Sequence, residues 1–221
     1  TGLEVDAPYT TAFARPLVSL RASTFVDYQL ERLSDIAARL DVRGFYFDQA
    51  GPIGSTNAAH VASGPAGSVS PATDVLAMRD FFKRLATMLD SRGQPGLIYV
   101  HNSAAPIIPA YTFVTGMVQG EELNTVTAIS NLDYQSSVPL SYIWPLYSSQ
   151  SSGVPTVWLE ELWSEVFAGQ RPAEYRADVR GWLDSAAFNS AWRNFMTLAL
   201  LHDIPVWTNA PVARREALYG Q

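Results

Sequence analysis

The chain of 221 residues is long enough for one sizeable core and too short for two ordinary α/β domains, so a single domain over residues 1–221 is expected. Its formal net charge of -6 is spread along the chain, and without a basic face it makes a poor nucleic-acid binder. Cysteine is absent, which excludes disulfides, thiolate metal sites and a cysteine nucleophile, and no apolar run reaches the roughly 20 residues of a membrane span.

The N-terminus, Thr1-Gly-Leu-Glu, has neither the basic start nor the apolar core of a signal peptide, and the missing Met points to processing, an engineered boundary or a piece of a longer protein. After an extended, Pro-interrupted start from Phe13 to Leu20, Thr24-Phe-Val-Asp27 has the spacing of a capping box, with Asp in place of the usual Glu. Leu30, Leu33, Ile36, Ala37 and Leu40 then recur at helical intervals, which predicts a helix over 24–40. Gly44 opens a strand predicted over 43–48, and the consecutive Phe45, Tyr46 and Phe47 argue for burial on both faces, as in a parallel sheet under helices. The run stops at Asp48, and Gly51-Pro52 breaks the regular structure. That leaves a carboxylate at the strand's C-terminal end, the rim that carries ligand sites in α/β folds. The competing role for Asp48 is to cap the next turn through its own backbone.

Residues 51–70 are rich in Gly, Ala, Ser and Pro without periodicity, the composition of a long functional loop. Ser70-Pro71 reads as an N-cap with Pro at the first helical position, and the stripe Val75, Leu76, Met78, Phe81, Phe82, Leu85, Met88, Leu89 predicts a helix closed by Gly93. Leu97 to Val100 is a second buried strand, ending in His101-Asn-Ser103. Residues 112–118, within the apolar run from Tyr111 to Val118, give a third, ending in Gly120-Glu-Glu122. Val154 to Leu159 gives a fourth before Glu160-Glu161, and an apolar helix from Ala191 to Leu201 feeds a last strand within Ile204 to Asn209. Helix and strand alternate and the strand ends are polar, so the expected fold class is α/β with parallel strands and outer helices: a (β/α)8 TIM barrel or the C-terminal part of one. A complete barrel takes about 250 residues, and only five or six strands are legible, so the domain is expected to be short or incomplete at its N-terminus. Uncovered strand edges near Phe13 to Leu20 and Val206 to Trp207 then predict self-association or dependence on a missing N-terminal segment, which light scattering would register.

Strand-end acids at Asp48 and at Glu121 or Glu122 come from different strands. Glycosidic cleavage needs that arrangement: one carboxyl group donates a proton while a second stabilises, attacks or activates water. Read conservatively, Glu121-Glu122 is a solvated helix start. His60 and His101 suit sugar hydroxyls, but the His-x-His or His-Glu-x-x-His spacing of a metal site is missing, so neither metal nor cofactor is expected. His202 before Asp203 reads as a structural imidazole at a helix C-terminus. There is no Gly-x-Ser-x-Gly elbow, and Gly64-Pro-Ala-Gly67 lacks the Lys of a phosphate loop. Tyr46, Trp158 and Trp207 offer rings to a sugar or are simply core, and Asn57, Asn102, Glu160 and Asn209 are further candidate substrate contacts.

The ordered set Gly44-Phe-Tyr-Phe-Asp48, Asn57-Ala-Ala-His60, Arg79-Asp-Phe-Phe-Lys-Arg-Leu85, His101-Asn-Ser103 and Phe113 to Glu121 resembles the catalytic barrel of large bacterial glycosidases related to the β-N-acetylgalactosaminidases. The resemblance implies a (β/α)8 barrel acting on glycans in bacterial carbohydrate metabolism, and a secreted or periplasmic location. Hexosaminidases of that kind place an adjacent Asp-Glu pair at this strand end, the Asp orienting the substrate acetamide and the Glu acting as acid. Here Gln49 follows Asp48, and an amide cannot serve as a general acid. The acid must come from another strand, and Glu121 is the choice. Thr115 stands where the pattern has Asp, so substrate preference does not carry over.

The expectation is therefore a glycoside hydrolase cleaving an oligo- or polysaccharide with Asp48 and Glu121. The alternatives are a non-catalytic glycan-binding or scaffold domain, which Gln49 favours, and a hydrolase of another bond type on the same fold. On this reading Asp48→Asn leaves folding intact and removes hydrolysis of aryl glycosides; an unchanged kcat/KM would exclude the role.

Overall fold

In the computed structural model, which describes residues 20–52, 54–55, 62–63, 69–70, 72–93, 95–102, 106–123, 135, 138–147, 153–160 and 186–208, the fold is α/β with five strands paired in parallel. Two compact units divide the chain: residues 1–100 with 105–115, and residues 101–104 with 116–221.

The first unit begins with α1 (Ser23–Leu40), whose apolar stripe buries Val26, Leu30 and Ala37. The capping box does not form: Ala22 is the N-cap, without a side-chain hydrogen bond. The carboxylate of Asp27 instead accepts from Arg84 at 2.5 Å, a pairing to the next helix that competes with the local cap. Strand β1 (Gly44–Phe47) is one-sided, which corrects the expected burial on both faces. Pleating turns Tyr46 away from Phe45 and Phe47, and it is 45% exposed while they are half-buried. The loop that follows contains two short antiparallel ladders, β2 (Gly54–Ser55) with β5 (Ala72–Thr73) and β3 (Ala62–Ser63) with β4 (Val69–Ser70).

Those ladders hold Ser70 and Ala72, so α2 (Val75–Asp90) starts later than the Ser-Pro signal predicts. Its N-cap is Asp74, whose carboxylate takes no cap bond and accepts from Arg21 Nε at 2.8 Å. Phe81 and Phe82 meet the ring of Phe47 edge-on at 5.7 and 5.6 Å, which seats α2 on β1. The helix closes with Gly93 at φ 85, as its sequence position suggests, and Arg92 donates to Ala37 O at 2.8 Å near the end of α1. A cavity of about 100 Å³ lies there, lined by Asp41, Val42, Arg43, Leu89 and Arg92, but it opens at the N-terminal end of β1.

Strand β6 (Leu97–His101) runs parallel to β1 in the register Gly44↔Leu97 to Phe47↔Val100. The next strand does not begin at residue 112 as expected. Ile108–Tyr111 is a 3-10 turn, and Thr115 closes the segment by exchanging bonds with Ile98. The apolar stretch from Tyr111 therefore buries by turning under a helix, with Tyr111 fully enclosed and its hydroxyl donating to Ala50 O at 3.0 Å.

The second unit holds β7 (Gly116–Gln119), a 3-10 turn at Glu121–Leu123, α3 (Leu140–Tyr147), β8 (Thr156–Glu160), α4 (Ala186–Leu201) and β9 (Val206–Thr208). β7 pairs with β8 and β8 with β9, both parallel, through Gln119↔Trp158 and Trp158↔Val206 among other partners. Trp158 is the centre of the core: it stacks on Tyr147 at 4.7 Å and meets Phe195 edge-on at 4.8 Å. At β9, Val206 is half-buried and Trp207 is 44% exposed; residues 13–19 lie outside the described residues. Among the described residues no helix is long and apolar enough to cross a membrane.

Burial pushes the Tyr111 phenol above its ordinary value of 10.0. A raised folded-state value stabilises the fold fully below the unfolded value, and that contribution is lost as pH climbs past it. We predict that denaturant stability falls above about pH 10, by up to ~1.4 kcal/mol per pH unit from this group. Tyr111→Phe should flatten that fall and cost about 1 kcal/mol at neutral pH through the lost bond to Ala50; an identical alkaline profile would contradict the assignment.

Candidate functional site

Parallel strands end side by side, so polar residues at their C-terminal ends gather on one rim. In the second unit the end of β6 supplies His101 and Asn102 and the end of β7 supplies Gln119, and all three are buried. Side chains of these types are seldom enclosed, so their grouping at strand ends marks this region out from an ordinary core. The Asn102 amide donates to Val118 O at 3.0 Å and fixes the first pair beside β7.

Beyond Gln119 the chain passes Gly120 at φ 137, a left-handed value that favours glycine. A Cβ on Gly120 would meet Leu159 O and lie 2.7 Å from Trp158 Cδ1. The chain then enters the turn at Glu121–Leu123, closed by Leu123 N donating to Gly120 O at 3.0 Å and anchored by the buried Leu123 side chain. Glu121 is thereby held with its side chain 34% exposed and Oε2 3.5 Å from Nε2 of the buried His101. That distance exceeds the roughly 2.7–2.9 Å of a charge-assisted hydrogen bond.

In the first unit, Asp48 follows β1 and is exposed, and its Oδ1 accepts from the Tyr46 hydroxyl at 3.3 Å. Gln49 adopts φ 51, so the chain turns sharply just past the carboxylate. The structure thus brings Tyr46 to Asp48, and His101 to Glu121. Trp158 is a correction to the candidate contacts: its fully enclosed ring is a core residue under Gly120 and presents no face to a sugar. Trp207 keeps an exposed ring on β9. The backbone of Glu122 lies in the turn after β7 and that of Glu160 ends β8. Asn57, His60 and Asn209 lie outside the described residues. Gln119 was missed by sequence reading, although a polar residue closing the apolar run Met117-Val118 carries the same signal that picks out Asp48. Among the described residues no group of three or more His, Asp or Glu could hold a metal ion.

Comparison with family models, curated proteins and solved structures finds no match to the chain. The close approach at Gly120 makes a direct prediction. Gly120→Ala should lose roughly 1–3 kcal/mol of stability from strained backbone alone, and more from displacement of Trp158, visible as a changed near-ultraviolet dichroism. A variant with unaltered melting and an unaltered tryptophan signal would show that the contact is not tight.

Proposed function

We propose that the chain is a glycoside hydrolase of (β/α)8-barrel type, or the C-terminal part of one, in which Glu121 handles the proton. The observation that carries this reading is Glu121, its side chain 34% exposed just past a strand's C-terminal end and its carboxylate 3.5 Å from the buried His101 imidazole. Parallel pairing of successive strands, β1 with β6 in the first unit and β7 with β8 and β8 with β9 in the second, also suits the units of a barrel. Protonated Glu121 gives its proton to the glycosidic oxygen as the bond to the anomeric carbon breaks. The reaction also needs a second carboxylate, to attack that carbon or activate water, and Asp48 is the candidate that the sequence offers for it. The partner is an oligo- or polysaccharide, and no cofactor enters the scheme.

A second reading, a glycan-binding domain without turnover, is favoured by Gln49, the amide that follows Asp48 where a carboxylic acid would serve catalysis. One experiment separates the two. The full chain is assayed on a panel of aryl glycosides and oligosaccharides, followed by reducing-end release, alongside Glu121→Gln. We expect turnover in the parent and a fall of about 10²–10⁴-fold in kcat for the variant with its fold intact, the usual contribution of a general acid. Saccharide binding without turnover would establish the second reading, and turnover unaffected by Glu121→Gln would remove Glu121 from the mechanism.

A further inference from the structure

We infer that the cavity at the N-terminal end of β1 binds a phosphoryl group, as inorganic phosphate or a phosphate monoester; the inference is independent of the carbohydrate reading above. The cavity measures about 100 Å³ and is lined, among the described residues, by Asp41, Val42, Arg43, Leu89 and Arg92. Three elements of the first unit bring the charged residues there. Asp41 is the C-cap of α1 at φ 49, Arg43 immediately precedes β1, and Arg92 follows the end of α2. Arg43 already belongs to the ladder, since Leu97 N donates to its carbonyl at 3.0 Å. Strand alternation therefore puts it on the face of Phe45 and Phe47, and Phe47 packs on Phe81 and Phe82 of α2. Leu89 is only 2% exposed, so one wall of the cavity is apolar core, and charge interactions beside such a wall are stronger than in open water.

The ordinary role of an arginine at a helix C-terminus is to answer the last carbonyls. Arg92 does so, donating to Ala37 O at 2.8 Å. Arg43 is surplus to that role: its side chain has no hydrogen bond or ion pair among the described residues, and no ion pair joins Asp41 to either arginine. Two guanidinium groups at one small cavity suit a tetrahedral oxyanion, because each planar fork can hold two oxygens of the same group. Size decides against a whole sugar. Pockets for drug-sized ligands run to about 300–1,000 Å³, whereas 100 Å³ is the room of roughly three waters at ~30 Å³ each, enough for a phosphoryl group whose ester chain stays in solvent. Asp41 chooses among oxyanions. A carboxylate only accepts, so it favours a ligand with a P–OH or a hydroxyl beside the ester and disfavours sulfate, which carries no proton at neutral pH.

The test is calorimetric titration and thermal melting of the full chain at neutral pH and constant ionic strength, with inorganic phosphate, glycerol phosphate, phenyl phosphate and sulfate. Phosphate should bind saturably and raise the melting temperature by mass action, while sulfate at the same ionic strength gives only the small, unsaturable rise of an excluded salt. Arg43→Gln should weaken phosphate binding at least tenfold without altering melting in its absence, since Arg43 holds no partner in the fold. Asp41→Asn keeps a residue type that tolerates the left-handed backbone and should admit sulfate, collapsing the preference for phosphate. Binding of the esters as well would identify a phosphorylated small molecule as the ligand, and their exclusion would identify the free ion. An unsaturable rise shared by phosphate and sulfate would overturn the site, as would saturable binding that Arg43→Gln leaves unchanged. Equal affinity of the parent chain for sulfate would overturn the phosphoryl assignment.

Discussion

The close approach of Gly120 to the Trp158 indole sets the geometry of the second unit. Trp158 lies between the parallel partners Gln119 on β7 and Val206 on β9, and its ring is fixed by stacking on Tyr147 and by the edge of Phe195. Because no atom of that ring can move far in a packed core, the backbone above it must pass as a bare glycine with φ 137. The residues on either side, Gln119 and Glu121, inherit their positions from that passage. The Glu121 carboxylate, to which the proposed reaction assigns the proton transfer, is thus located by an aromatic core beneath it.

The polar groups above that core are an energetic liability taken on locally. Enclosing a histidine, an asparagine and a glutamine costs free energy wherever their hydrogen bonds are incomplete, and each unmet bond is worth about 1–3 kcal/mol. The surrounding aromatic burial offsets such a cost, and a stability-driven sequence would place apolar residues at these three positions. Their presence at strand ends, where the fold gathers ligand contacts, is the physical reason to look for chemistry there. The cavity lined by Arg43 and Arg92 has charge but lies at the N-terminal end of β1, and one of its arginines is engaged by the carbonyl of Ala37.

Much of the fold can be read from apolar periodicity, because α1, α2, α4, β6 and β8 each bury one stripe or run that their spacing displays. Where competing partners existed, local signals failed. The capping box at Thr24 lost to the Asp27–Arg84 pair, and the Ser70-Pro71 start lost to two short ladders that no spacing rule anticipates. Helix α3 went unseen since it has eight residues with Pro145 inside, a residue that normally argues against a helix. The run from Tyr111 was placed in a strand because burial alone does not distinguish a strand from a 3-10 turn under a helix. For the site, the strand-end rule picked out Asp48, His101, Asn102 and Glu121, which lie at or just after strand ends, whereas Trp158 proves to be an enclosed core ring. A tryptophan near a strand end looks the same in sequence whether its ring lies inside or outside, and only the pairing with α3 and α4 decides.

Three arginines tie the helices of the first unit together along their length. Arg21 reaches Asp74 at the start of α2, Arg84 reaches Asp27 in its middle, and Arg92 reaches the Ala37 carbonyl from its far end. Each bond alone is a partly exposed contact of modest strength, but together they leave neither helix an end that can fray independently of the other. Opening α1 would release the polar partners of α2 at three separated points at once. The pair is therefore expected to exchange its amide protons as one cooperative unit, with protection rising and falling together in two segments far apart in sequence.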